Sequence, residues 1–351
     1  MPAFLAGMPE VPFRPFSVMV PLLGPSLGIR EVLLGNDDYL LLTLALVSGV
    51  TFALLLLESA LRGFCAGHEL LLDEGPTSRP RELGRAWFLV LCSMLLLFTL
   101  GPAFQDQGPA FRVALPQLLF VLLPALLLAR WLGIPAWREA RYPLDNGAAR
   151  PCKPWIPSLL RGLAAGPAIL LASSALAGLQ EAALPMPAAF RHAAGEALAG
   201  FPMSVPVLVL LLGVLPALSE ELLYRRLFLS RLLLVHTTRR ALVLSACCFA
   251  LHHLSLWRFL PSLVGGLVLG GLVLRTGRLA PAVLAHALSN ALAALVVLPG
   301  SPGEGSELAT VLLSTDPAPA KLAIAIGLGV LALAGRKRWR LGIQVPAPAL
   351  A

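Results

Sequence analysis

Apolar segments of membrane-spanning length recur along almost the whole chain. A transmembrane helix needs about 20 consecutive apolar residues, and somewhat fewer if its flanking residues adapt to the bilayer. Nine segments of the 351-residue chain approach this length. They are Tyr39–Leu61, Trp87–Phe104, Phe111–Ala129, Leu159–Leu179, Ser204–Tyr224, Ala241–Leu254, Phe259–Leu274, Pro281–Val297 and Ala320–Gly335. We therefore expect an all-α fold, a polytopic transmembrane helical bundle of about nine spans.

The composition agrees with a chain whose main partner is the lipid bilayer. Only 13% of the residues are charged and 57% are hydrophobic, whereas soluble domains have about 25% charged residues. The formal net charge is +8, which could indicate binding to nucleic acid. The basic residues lie in short clusters between apolar segments, as in the loops of membrane proteins. We therefore expect no nucleic-acid partner.

The distribution of Lys and Arg predicts the orientation of the chain. Loops after the first, third, fifth and seventh spans are rich in Arg, whereas residues 101–110 and 298–319 contain neither Lys nor Arg. Cytoplasmic loops carry the excess of positive charge. We therefore expect the N-terminus outside and the C-terminus in the cytoplasm. The Ala-, Leu- and Arg-rich composition suggests a GC-rich genome and hence a bacterial inner membrane.

A loop bearing Pro, Arg and Lys, Trp137–Pro157, divides the predicted bundle. It separates an N-terminal transmembrane region of unknown role, residues 1–157 with about three spans, from a later block of six spans. This later block, residues 158–335, is the predicted core, and residues 336–351 form a basic cytoplasmic tail. Ionisable residues within spans are costly and indicate function by default, and the later block concentrates them in three places.

The first place is the end of the fifth span, which contains Glu220, Glu221 and Arg225. Glu221 and Arg225 are four residues apart, so they share a helix face and can form an ion pair. Glu220 lies about 100° around the helix, where it can point into the bundle. Alternatively, all three side chains are simply solvated at a helix end, because charged side chains near an interface reach water easily.

The second and third places contain imidazoles. Phe249 and His253 share one face of the sixth span, while the neighbouring His252 points elsewhere. His286 and Asn290 are four residues apart on one face of an otherwise apolar eighth span. Without a function, the two adjacent histidines would lie at an outer interface, and His286 and Asn290 would form an interhelical hydrogen-bonded pair.

Together these side chains suit the hydrolysis of a peptide bond. A carboxylate or a histidine can deprotonate water, and hydrogen-bond donors can stabilise the oxyanion that develops. Zinc remains possible, because one Glu and two His can ligate a catalytic zinc ion, with Glu220, His253 and His286 as ligands. The sequence has no HExxH motif, so the arrangement of two zinc ligands on one helix is missing.

The three motifs in order, Glu220-Glu221-x-x-x-Arg225, Phe249-x-x-x-His253 and His286-x-x-x-Asn290, resemble those of the CPBP intramembrane proteases. This family includes the CAAX prenyl endopeptidases and many bacterial relatives. The resemblance covers roughly Ser204 to Val297. It implies a glutamic-type protease without a metal cofactor.

The resemblance also implies a role for each motif residue. Glu220 and His253 would activate water, and His286 and Asn290 would stabilise the oxyanion. Glu221 and Arg225 would form an orienting ion pair. The sequence does not establish whether His252 or His253 faces the site. At 1.5 Å per residue, His286 and His253 lie about 8 Å and about 18 Å from the cytoplasmic starts of their spans. The two can therefore meet only if the helices tilt or if the span boundaries shift by a turn.

The predicted activity is that of an intramembrane endopeptidase which cleaves near the C-terminus of a membrane-anchored protein. Its substrate would carry a CAAX-like tail or a C-terminal sorting signal. The alternative is a non-catalytic transporter, channel or scaffold that uses the same polar cluster for binding. A transporter could tolerate the loss of Asn290, whereas a peptidase should lose turnover without Glu220 or His253.

Overall fold

The computed structural model describes residues 78–100, 107–134, 152–183, 204–253 and 255–297, together with residues 27, 104, 142, 185 and 186. Every regular element within these ranges is a helix, which confirms the all-α prediction for this part of the chain. The predicted spans Tyr39–Leu61 and Ala320–Gly335 lie outside the described residues, as does the basic tail, residues 336–351.

Seven helices form the described part of the bundle, and two of them change between α-helical and π-helical hydrogen bonding. Helix α1 is Ser78–Leu100, α3 is Trp155–Ala183, α5 is Thr238–His252, α6 is Leu256–Thr276 and α7 is Ala280–Val297. Helix α2 consists of Pro109–Pro116, the π segment Gln117–Leu122 and Leu123–Trp131. Helix α4 consists of Val205–Leu208, the π segment Val209–Val214, Leu215–Glu221, the π segment Leu222–Leu229 and Ser230–Leu232.

Four described helices are long and apolar enough to cross a membrane, and the protein is an integral membrane protein. These are the stretches Ala110–Trp131, Trp155–Ala182, Val205–Leu232 and Trp257–Thr276, which coincide with four of the predicted spans. A fifth apolar helix, Ala280–Val296, is shorter. The predicted spans Trp87–Phe104 and Ala241–Leu254 fall on α1 and α5, which are not among these four. Within the described residues the structure thus supports four of the nine predicted spans.

Helix α7 is held by glycines of the two helices beside it. A Cβ atom at Gly162 of α3 would lie 2.6 Å from the Pro281 carbonyl oxygen, and one at Gly166 would lie 2.9 Å from Leu288 Cβ. On the other side, a Cβ atom at Gly213 of α4 would lie 3.0 Å from Ala291 Cβ. Small residues four apart let transmembrane helices approach closely. This packing places α7, which carries His286 and Asn290, directly against α4.

Glycines of helix α6 let it pack closely against α5 in the same way. A Cβ atom at Gly266 would lie 3.1 Å from Ala246 of α5, and one at Gly270 would lie 2.5 Å from the Leu242 side chain. Helix α6 ends at Gly277, which has a φ of 71°. Glycine adopts this left-handed conformation without a steric penalty, so α7 can begin only three residues later.

Candidate active site

The two glutamates of the first motif lie between the π segments of α4. They end the α-helical stretch Leu215–Glu221, and the π segment Leu222–Leu229 follows immediately. Single π turns interrupt α-helices mostly at functional sites. Three consecutive backbone carbonyls within this π segment accept side-chain hydrogen bonds. The Tyr224 carbonyl accepts from Ser245, the Arg225 carbonyl from Tyr142 and the Arg226 carbonyl from Ser230. These bonds stabilise the irregular stretch that supports the site.

Tyr142, outside the spanning helices, is fully buried beside this stretch. Burial raises the pKa of its phenol above the ordinary value, and the nearby Arg226 and Arg225 guanidinium groups oppose this effect only in part. The phenol therefore keeps its proton, and its hydroxyl donates to the Arg225 carbonyl oxygen at 3.3 Å. Tyr142 thus fixes the backbone of the first motif from a loop of the N-terminal region.

Glu221 is the centre of a buried network. Its Oε1 lies 2.8 Å from Arg225 Nη1 and 2.9 Å from His286 Nδ1. Arg225 also contacts the Gly266 carbonyl oxygen at 3.4 Å and lies over the Phe249 ring at 4.2 Å. The Glu221–Arg225 pair predicted from the four-residue spacing is therefore present. It is fully buried, and removing one member of such a pair leaves an uncompensated buried charge.

Glu220 points into the bundle from the neighbouring position and is only 6% exposed. Its Oε1 accepts a hydrogen bond from Gln117 Nε2 at 3.2 Å. Its Oε2 lies 3.8 Å from His286 Nε2 and has no hydrogen-bond partner among the described residues. Glu220 therefore has one oxygen that accepts a hydrogen bond and one buried oxygen without a hydrogen-bond partner among the described residues.

The two histidines of α5 have different partners. His252 Nδ1 lies 2.6 Å from the Tyr224 hydroxyl, and its ring is close enough to Glu220 to interact with its charge. His253, at the end of α5, has its Nδ1 3.0 Å from the Phe249 carbonyl oxygen. His253 and Phe249 therefore share a side of α5, as predicted, while both imidazoles border the site.

The Phe249 ring joins the second and third motifs. Its centroid lies 5.1 Å from that of His253 and 5.7 Å from that of His286, and both contacts are edge-to-face. These contacts place both imidazole rings beside Phe249, although straight spans predicted a large difference in depth. Asn290 lies one turn beyond His286 on α7, and its side chain is half-buried.

The structure thus brings Glu220, Glu221, Arg225 and His286 into one connected cluster. His253 joins it through Phe249, and no hydrogen bond or ion pair links His253 to Glu220 within the described residues. Asn290 likewise has no side-chain hydrogen bond to the part of the chain that the structure describes.

The described side chains do not fit a zinc site with three protein ligands. No group of three His, Cys, Asp or Glu side chains in the described ranges could hold a metal ion. Of the three alternative ligands, Glu220 and His286 are near each other, but His253 contacts His286 only through the Phe249 ring. His286 also directs Nδ1 to Glu221.

Sequence reasoning missed the polar residues that support the site from outside the three motifs. Gln117 contacts both Glu220 and Ser219 from α2, and Tyr142 contacts the Arg225 carbonyl. Tyr224, at a variable position within the first motif, contacts His252 and was also missed. A signal for Gln117 was present, since it is a lone amide in the apolar stretch ALPQLLFVLLP, directly after Pro116. Tyr142 had no such signal, because it lies in a loop.

One comparison with known proteins gave a match to part of the chain. Residues 202–292 match the family model described as Rce1-like, type II CAAX prenyl endopeptidase. The matched segment contains all three motifs and confirms the resemblance stated from them. It comprises about a quarter of the chain and does not include α2 or Gln117. No curated protein and no solved structure gave a match.

Proposed function

Because residues 202–292 match the model of the Rce1-like, type II CAAX prenyl endopeptidases, we propose that this chain is an intramembrane endopeptidase in which Glu220 activates water. The observation that supports this proposal is the placement of Glu220. Its buried carboxylate has one oxygen that accepts a hydrogen bond from Gln117 and one that lies 3.8 Å from His286 Nε2 without a bond of its own among the described residues.

In the proposed reaction, Glu220 Oε2 takes a proton from water while the water oxygen bonds to the scissile carbonyl carbon. The carbonyl oxygen becomes an oxyanion, which His286 and Asn290 stabilise by hydrogen bonds. The C–N bond then breaks, and the proton on Glu220 passes to the leaving amine. His253 assists Glu220 as the second member of the base pair, and the Glu221–Arg225 pair fixes the orientation of His286. No step in this scheme requires a metal ion.

The proposed substrate is a membrane-anchored protein with a C-terminal tail. A prenylated CAAX-like tail is one candidate, and the C-terminal sorting signal of a surface protein is the other. Either substrate would enter from the bilayer, because α4, which carries Glu220, is long and apolar enough to cross it. The proposed location is a bacterial inner membrane, with the N-terminus outside and the C-terminus in the cytoplasm.

The test is cleavage by purified protein in liposomes after extensive chelation. Two quenched fluorescent probes are used: a farnesylated peptide that ends in Cys-Ala-Ala-Xaa, and a transmembrane peptide with a polar C-terminal tail. Glu220→Gln keeps the shape of the side chain and removes its basicity, so we expect cleavage to fall about 10²–10⁴-fold.

Glu82→Gln is the matched control, because Glu82 pairs with Arg231 away from the site and is partly exposed. An exposed pair contributes at most about 1 kcal/mol, so this variant should cleave like the wild type. Wild-type cleavage by Glu220→Gln would reject Glu220 as the base. Activity that is lost on chelation and returns with stoichiometric zinc would contradict the metal-free mechanism. Failure of the wild type to cleave either probe, together with specific binding of a small solute, would favour a transporter or scaffold.

A further inference from the structure

Helix α2 directs one amide side chain to the candidate site. Gln117 Nε2 lies 3.2 Å from Glu220 Oε1, and Gln117 Oε1 lies 2.9 Å from Ser219 Oγ. The three side chains therefore form a chain of hydrogen bonds from the Ser219 hydroxyl to the carboxylate. Gln117 lies outside the segment that matches the protease family, residues 202–292, so the family motifs do not account for it.

The chemistry of the two partners determines which way the Gln117 amide points. An ionised carboxylate can only accept hydrogen bonds, so the NH₂ group must face Glu220. The amide oxygen then faces the Ser219 hydroxyl, which can donate to it. Glu220 and Ser219 are adjacent and both buried. Gln117 is therefore held at both ends and can fix the rotation of the Glu220 carboxylate.

The backbone of α2 departs from regular α-helical hydrogen bonding at Gln117. Pro116 directly precedes it and the π segment Gln117–Leu122 begins there. Proline removes a helical hydrogen-bond donor, and a π turn widens the helix locally. Ser93 of α1 donates a hydrogen bond to the Phe120 carbonyl oxygen within this segment. The π segment thus contacts α1 through the Phe120 carbonyl, while Gln117 contacts α4.

We propose that Gln117 is a positioning residue for Glu220, which holds Oε1 so that Oε2 is the atom that takes the proton from water. The inference rests on the proposed function, since it assigns a task to Glu220 as the base. Gln117 does not touch the reacting atoms. It acts through the carboxylate, and the N-terminal region thereby completes a site whose motifs all lie in α4, α5 and α7.

The experiment compares Gln117→Met with Ser93→Ala, using the probe that the wild type cleaves in liposomes. Methionine has nearly the shape of glutamine but cannot donate a hydrogen bond. A hydrogen bond to a charged group is worth about 1.5–3 kcal/mol, so we expect kcat to fall about 10-fold to 100-fold, with KM within about twofold. Ser93→Ala removes a hydrogen bond to the Phe120 carbonyl of the same π segment but leaves the Gln117–Glu220 hydrogen bond in place, so kcat should stay near the wild-type value even if thermal stability falls.

Two further measurements separate positioning from a merely structural role. In a Glu220→Gln background, Gln117→Met should cause no further loss of kcat, because the carboxylate on which it acts is gone. The infrared carboxylate band of Glu220, assigned from the Glu220→Gln difference spectrum, should shift in Gln117→Met and stay unchanged in Ser93→Ala. The infrared measurement needs no substrate. If Gln117→Met does not fold, Gln117→Asn serves instead, because its shorter side chain withdraws the donor by about one C–C bond length.

The outcomes distinguish this inference from the proposed function. If Glu220→Gln abolishes cleavage but Gln117→Met has the wild-type kcat and an unshifted carboxylate band, the inference is wrong and the peptidase survives. If Glu220→Gln cleaves normally, the proposed function fails, whatever Gln117 does. An equal loss of kcat from Gln117→Met in both backgrounds would also overturn the inference, because the loss would then be structural.

Discussion

His286 lies between the two glutamates of the first motif. Its Nδ1 lies 2.9 Å from Glu221 Oε1, and its Nε2 lies 3.8 Å from Glu220 Oε2. In the neutral ring with a proton on Nδ1, Nε2 can only accept a hydrogen bond. In the protonated ring both nitrogens donate. His286 can therefore stabilise an oxyanion through Nε2 only in a form that carries a proton on Nε2, whereas the Asn290 amide is a donor in every state.

Asn290 should consequently be essential for turnover. Losing one oxyanion donor costs about 3–4 kcal/mol in the barrier, so we expect Asn290→Ala to lower kcat about 10²–10³-fold with little change in KM. The measurement is steady-state cleavage of the same probe in liposomes. Ser289→Ala is the control, because Ser289 is the buried neighbour on another face of α7. Equal activity of the two variants would remove Asn290 from the proposed mechanism.

The sequence predicted which residues meet at the site better than it predicted their individual contacts. The four-residue spacing of Glu221 and Arg225 is a local property of a helix, and the pair forms. The contact between Glu221 and His286 joins α4 to α7 and depends on how these helices pack. No spacing along the chain encodes this contact. The family resemblance implied that Glu220 works with His253, whereas the structure places Glu220 beside His286.

At the scale of elements, glycines let the backbones of α3 and α4 lie close to α7, and this contact rather than large side chains sets the position of α7. Gly162 and Gly166 are four apart on α3 and both meet α7, in the small-xxx-small pattern of packed membrane helices. This pattern is visible in the sequence. The π segments of α2 and α4 are not, because they change the hydrogen bonding without changing the apolar composition from which spans are recognised.

Two identical substitutions test this packing. Gly162→Ala would place a Cβ atom 2.6 Å from the Pro281 carbonyl oxygen, whereas Gly265→Ala would meet only the Ile169 side chain at 3.5 Å. Alanine favours a helix over glycine by about 1 kcal/mol, so Gly265→Ala should be neutral or stabilising. Overpacking costs about 1–3 kcal/mol, so Gly162→Ala should lower the thermal unfolding temperature in detergent. Equal unfolding temperatures would show that α3 and α7 do not pack as closely as described.

At the scale of the whole molecule, the alternation of Arg-rich and Arg-poor loops predicts the orientation in the membrane. The predicted outer loop and cytoplasmic tail lie outside the described residues, so the orientation stays a prediction. After the five native cysteines are replaced, a single cysteine at Gly305 should react with an impermeant reagent added outside. One at Arg338 should react only after the membrane is opened. Labelling of both positions from the same side would contradict the nine-span topology.

The hydrogen bond between Gln117 and Glu220 also bears on how the activity can be transferred between proteins. A chimaera that received only residues 158–335 would carry every family motif. It would nevertheless lack the donor to Glu220 Oε1 and the Tyr142 hydroxyl on the Arg225 carbonyl. The smallest segment that could be transferred together with the proposed activity is therefore longer than the segment that contains the motifs, and it begins no later than α2.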